Sequence, residues 1–205
     1  MEPRLQLAAD QLSRMRAMNA MYHDRFFGDI RFTLVVQLAL FTAGYAIDRR
    51  IMLAIPVVAL MGAVQTAFDA SYLIFSRQYA TRLEQYLNGA LGSDVLVAHR
   101  LEDAYLFPLD RKKIVTLPLG SPMTWFGFMT FFYTALGAGT YIAGVIASWP
   151  ILSDRDFGRI AVLYGVALLA LTVIALAYGF RWFVGGEGEK RLRTVFEESE
   201  LFGDA

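Results

Sequence analysis

Residues 160–180 read IAVLYGVALLALTVIALAYGF, a run without a single charge, closed by Arg159 and Arg181. At about 1.5 Å of rise per residue, a helix of this length covers the ~30 Å hydrocarbon core of a bilayer. A buried helix of a soluble protein is normally shorter and keeps a polar face. The run therefore predicts a membrane-spanning helix, and three others accompany it. Ile30 to Ile47 is uncharged apart from Arg31, and Ile51 to Phe75 is interrupted only by Asp69. Ile114 to Ser153 holds no charge at all. Its helical part is expected from Ser121-Pro122, a good N-cap and first-turn pair, to Trp149-Pro150.

These segments predict an all-α polytopic membrane protein, its four transmembrane helices paired as two antiparallel hairpins, with amphipathic cytoplasmic helices added. The expected organisation is an N-terminal cytoplasmic helix over 1–29 and a first hairpin over 30–75, with spans 30–47 and 51–75. A cytoplasmic helical insert follows over 76–121. A second hairpin covers 122–184, with spans 122–149 and 160–184, and an acidic tail covers 185–205.

Composition agrees and narrows the function. The chain of 205 residues is 56% hydrophobic and 19% charged, with a mean hydropathy of +0.42. Soluble domains carry roughly 25% charged residues. The 19 basic and 19 acidic residues balance, so the basic excess of a nucleic-acid binder is missing. Cysteine is absent, which excludes disulfides, thiolate metal sites and thiol catalysis. The polar first 29 residues argue against a cleaved signal peptide.

Lys and Arg set the orientation. Fifteen fall at the N-terminal end, between the second and third spans, or after the fourth. The other side has only Arg49, Arg50, Arg155 and Arg159. Loops rich in these residues stay inside, so both termini and the middle loop are expected in the cytoplasm, with the protein in the bacterial inner (plasma) membrane. Frequent Ala and Arg with little Lys suggest the bacterial source. Trp125 and Trp182 at the inner ends of their spans, and Trp149 at an outer end, are expected as interfacial anchors.

Outside the spans, Ala8, Leu12, Met15, Tyr22 and Phe26 recur at helical spacing, with Asn19 breaking the stripe. Tyr72, Phe75, Tyr79, Leu83 and Tyr86 carry a second rhythm past the membrane, with a stop expected at Asn88-Gly89. The two stripes are expected to pack on cytoplasmic helices. A short helix is expected between Gly92-Ser93-Asp94 and Phe107, then an extended stretch to Pro122 with Arg111, Lys112 and Lys113 meeting headgroups. A last helical piece is expected over Arg191 to Glu198.

Two polar sets within the spans are candidates for a polar path or inner mouth. On the third span, Thr130, Tyr133, Thr134, Gly137, Thr140, Tyr141, Gly144 and Ser148 share an arc of about 120°. This face either lines a polar path or bonds across a dry helix interface and back to its own backbone. Roughly opposite, Ala135, Gly139, Ala143 and Ala147 form a small-residue packing stripe. The second set is Thr33, Gln37, Gln65 and Asp69. Asp69 lies 20 residues past Arg49, ~30 Å along a helix, so it belongs at the inner boundary. It is expected either to pair there with Arg31 or Arg77 or to serve as an ion or proton site. His99, Glu102 and Asp103 have helical spacing, which favours a surface ion pair over a metal site.

No nucleophile elbow, phosphate loop or paired-histidine helix is present, so no catalytic residue, cofactor or metal ligand is assigned and an enzyme is not expected. In outline the chain resembles bacterial four-span proteins such as pore-forming effectors of anti-phage systems and stator-type channel subunits. That resemblance covers topology only and carries no site. The expected function is a small homo-oligomeric channel or pore-forming protein in the lipid bilayer, its cytoplasmic helices controlling assembly or gating. The alternative is a non-conducting anchor or assembly subunit that docks a cytoplasmic protein partner through 76–120 and the tail.

Overall fold

The computed structural model describes residues 3–106, 113–114, 117–118, 124–154 and 158–198. Four helices are long and apolar enough to cross a membrane. Helix α1 runs unbroken over Pro3–Ala46, so the first amphipathic stripe and the first span are one helix rather than two. Gly28 lies within it, and the ~1 kcal/mol that an interior glycine costs does not interrupt so long a ladder. A 3-10 turn over Arg49–Leu53 follows, capped by the Asp48 carboxylate accepting from the Arg50 N–H at 2.9 Å. Helix α2 covers Ala54–Leu91. It passes the expected stop at Asn88-Gly89 and ends before Gly92, whose φ of +63° favours glycine.

Helix α3 is Ala98–Tyr105, shorter at its start than the sequence implied. Strands β1 (Lys113–Ile114) and β2 (Leu117–Pro118) pair antiparallel. Helix α4 covers Trp125–Leu152 and carries Pro150 in its last turn, where its missing N–H removes only one terminal bond. The expected start at Ser121-Pro122, the expected end of α3 at Phe107, residues Arg111 and Lys112, Arg155, and the acidic end beyond residue 198 lie outside the described residues. Helix α5 is Gly158–Gly179, continued by a π-helical turn over Phe180–Val184. Helix α6 is Glu187–Glu197, entered through Gly186 at φ +67°.

The chain divides into two compact units. The first comprises Met1–Arg25, Asp69–Thr130 and Arg181–Ala205; the second comprises Phe26–Phe68 and Phe131–Phe180. In the first unit, Ala8, Leu83 and Leu87 are buried together, with Leu5, Leu12, Met15, Tyr79 and Tyr86 packed against them. Both amphipathic stripes therefore meet each other. Tyr22 stacks on Tyr72 at 4.7 Å between ring centres, and Tyr79 stacks on Phe196 of α6 at 5.6 Å. The Tyr79 hydroxyl also bonds the Gln11 carboxamide at 2.8 Å.

In the second unit, small residues set the helix contacts. A Cβ on Gly62 would stand 2.4 Å from Thr33 Cγ2, and one on Gly44 would stand 2.5 Å from Met52 Cγ. One on Gly144 would stand 2.7 Å from Ile55 Cγ2. Helix α5 buries none of its residues, which leaves its apolar surface facing outward, as lipid solvates without cost.

Candidate functional site

The hydroxyl face of α4 turns toward the other helices of its unit at its far end. Ser148 is buried and donates to the Met52 carbonyl at 3.3 Å. Tyr141 and Thr172 of α5 share a hydrogen bond of 2.7 Å. Thr140 bonds back to the Gly137 carbonyl at 2.9 Å. Tyr133 is half-buried, with its ring against Phe27 at 6.1 Å, while Thr134 is exposed. Tyr164 of α5 donates to the Leu53 carbonyl at 2.6 Å. This residue was not singled out in the sequence, although a tyrosine near the start of a largely aliphatic run was its available signal.

The opposite stripe is open. Ala135, Gly139 and Ala143 are exposed, Ala147 is half-buried, and nothing lies within 4 Å of a Cβ built on Gly139. From α1, Gln37 is 1% exposed, and its Oε1 has no hydrogen-bond partner among the described residues. Thr33 meets Gly62, and Gln65 is exposed. Trp149 is exposed.

In the first unit, Thr130 is buried and donates to the Phe126 carbonyl at 3.0 Å. Asp69 is 1% exposed. Trp125 is exposed, whereas Trp182 is held inward: its Nε1–H donates to Ser71 Oγ at 3.0 Å, and Arg191 lies over its ring. Gly188 of α6 sits where a Cβ would come 2.9 Å from the indole.

The main feature of this unit that sequence reasoning missed is a chain of ion pairs tying α1, α2 and α3 together. Arg16 bonds both Glu84 and Glu102. Arg77, fully buried, reaches Glu102 at 3.2 Å and Asp103 at 3.0 Å. Glu84, 2% exposed, also accepts from the His99 backbone N–H at 3.0 Å and contacts His99 Nδ1 at 2.8 Å. Asn19, which interrupts the apolar stripe of α1, is buried and donates to Glu102 at 3.3 Å. The local grouping of His99 with Glu102 and Asp103 is thus replaced by pairing with residues far away in sequence.

Burial works against each of these charges, and the pairing decides the outcome. For Arg77 burial prevails over Glu102 and Asp103, and its pKa is lowered. For Arg16 burial is outweighed by Glu84 and Glu102, and its pKa is raised. Burial alone would raise Glu84, but the His99 N–H and Arg16 hold it below the ordinary 4.5. A carboxylate depressed in the folded state contributes stability that is fully present above its unfolded pKa and is lost as pH falls through its folded value. The first unit should therefore lose thermal stability as pH drops below about 4.5, a dependence that Glu84→Gln should flatten in melts followed by circular dichroism.

No protein-family model, curated protein or solved structure matches the chain.

Proposed function

We propose that the protein is a homo-oligomeric channel or pore-forming protein of a bacterial inner membrane. In this arrangement the four apolar helices span the bilayer as two antiparallel hairpins. Both ends and the insert between the hairpins lie in the cytoplasm. The observation that carries the assembly is the open stripe on α4. Gly139 has empty space where a side chain would stand, between exposed Ala135 and Ala143, while Gly144 on the other face packs on α2. Small residues spaced by four allow close approach of helices in lipid, and a second copy supplies the missing neighbour.

The polar residues of the second unit support a conducting path on the other side of α4, toward Gln37 and Tyr141. The ion-paired first unit supports a controlling role for the cytoplasmic helices. The packing of α6 on Tyr79 and Trp182 uses the tail within the chain itself. That favours this reading over one in which the tail docks a separate protein.

Purified protein should run as a discrete oligomer in detergent by light scattering and carry ions across liposome membranes. Gly139→Leu should reduce the oligomer at least tenfold without unfolding the protomer, because among the described residues nothing lies within 4 Å of the added Cβ. A wild-type monomer without flux would contradict the proposal.

A further inference from the structure

Several hydroxyl protons of the second unit are committed to carbonyls. Thr42 donates to the Leu38 carbonyl, Thr66 to Gly62, Thr140 to Gly137 and Thr172 to Leu168, at 2.7–2.9 Å. Ser148 and Tyr164 donate to the carbonyls of Met52 and Leu53. Since the Thr172 proton goes to Leu168, Tyr141 is the donor in the bond the two side chains share. A hydroxyl whose proton is spent on a carbonyl offers only lone pairs elsewhere. Toward anything else in the unit, these hydroxyls therefore present acceptor oxygens.

Gln37 adds an acceptor oxygen to them. Its Oε1 is buried with no donor among the described residues, a condition that costs free energy and calls for an explanation. Its level follows from the neighbouring contacts. Thr33 meets Gly62 and Gly44 meets Met52, so Gln37 lies level with the stretch of α2 near Ala59, itself buried. Gly144 meets Ile55 and Ser148 meets Met52, which brings the region of Tyr141 to that same level. Thr172 joins it through its bond to Tyr141. Gln37 and the Tyr141–Thr172 pair thus share one layer near mid-span. No Lys or Arg lies between Arg31 and Arg49, within 51–68, within 131–152 or within 160–180 to offset these acceptors.

We propose that this layer receives a small monovalent cation, with Gln37 Oε1 as a coordinating oxygen. Carbonyl and hydroxyl dipoles replace part of a cation's hydration shell and repel an anion. The inference rests on the conducting role proposed above, in that the cation is the species carried.

The test is a pair of measurements on the full-length protein. In detergent, melts in KCl and NaCl are compared with choline chloride at equal ionic strength. At least one small cation should raise the midpoint by several degrees, because a ligand bound only to the folded state stabilises it. Gln37→Leu should abolish that difference while melting higher than wild type in choline chloride, since the orphaned acceptor is gone. Gln37→Glu, which keeps an acceptor, should retain or enlarge the difference and serves if the leucine variant does not fold. In liposomes, wild type should prefer cations over chloride at least tenfold, and Gln37→Leu should lose at least tenfold in flux.

Identical wild-type melts in all three salts, the result expected if water alone fills the layer, would overturn the site, as would a salt difference that survives in Gln37→Leu. Chloride preference would also overturn it. Cation-dependent melting without flux would leave the site standing and remove conduction. Flux indifferent to Gln37 would keep conduction and remove the site.

Discussion

Arg77→Met should destabilise the first unit by about 3 kcal/mol and lower its melting temperature by several degrees at neutral pH. Arg77 is fully buried, and it supplies both Glu102 and Asp103 with a cation. Breaking one side of a buried ion pair costs about 3–5 kcal/mol, because the remaining charges are left uncompensated. The lower end applies here: Glu102 keeps Arg16, and Glu102 and Asp103, 20% and 31% exposed, regain some water. The cross-check is Arg77→Met combined with Asp103→Asn, which leaves the Arg16–Glu102 pair in place. Removing the carboxylate that has lost its Arg77 partner should recover part of the loss, as judged by denaturant or thermal unfolding. A single variant as stable as wild type would show that the three charges do not hold α2 and α3 together.

Gly62→Leu should disrupt the second unit by a similar amount. The added Cβ falls 2.4 Å from Thr33 Cγ2 and 2.7 Å from its Oγ1. Threonine is short and stiff about its first torsion, so the side chain has no flexible end to swing away. The helices themselves must separate, and overpacking of a tight contact costs about 1–3 kcal/mol or more. Thr33→Ala removes the clashing atoms and should restore part of the loss. Gly137→Leu gives the control, since nothing stands within 4 Å of its Cβ, and it should leave protomer stability within about 0.5 kcal/mol of wild type.

The four long apolar helices were legible in the sequence because lipid imposes a local condition. A spanning segment must satisfy its own backbone hydrogen bonds and exclude charge along its own length, so the signal lies within about 20 consecutive residues. The two amphipathic stripes were legible for the same reason, through helical period. The ion network was not, because Arg16 finds Glu84 and Glu102 at separations of 68 and 86 residues, and no periodicity announces such a pairing. His99 shows the limit well: its local neighbours Glu102 and Asp103 suggested themselves, but its partner is Glu84 on another helix.

The helix ends were misplaced where packing overrode local preference. Asn88-Gly89 is a natural stop by propensity. Yet Leu87 is buried in the core of the first unit, and the Asn88 amide is bonded at both its oxygen and its nitrogen, accepting from the Leu96 N–H and donating to its carbonyl. Those bonds keep Asn88 helical and move the stop to Gly92. Among the candidate polar residues, the α4 hydroxyl face was visible as a pattern, but the direction of each proton was not. Only the geometry assigns Thr140 to Gly137 and Ser148 to Met52, and that assignment leaves those two oxygens as acceptors.

The absence of native cysteine makes one labelling experiment unusually clean. Single cysteines placed at the exposed positions Ser93 and Ser153 are probed on intact cells with a membrane-impermeant maleimide. Four crossings with the arginine-rich segments inside predict that Ser153→Cys is labelled at once and Ser93→Cys only after the membrane is opened. Labelling of Ser93→Cys on intact cells, or release of the chain from membranes by salt without detergent, would contradict the account.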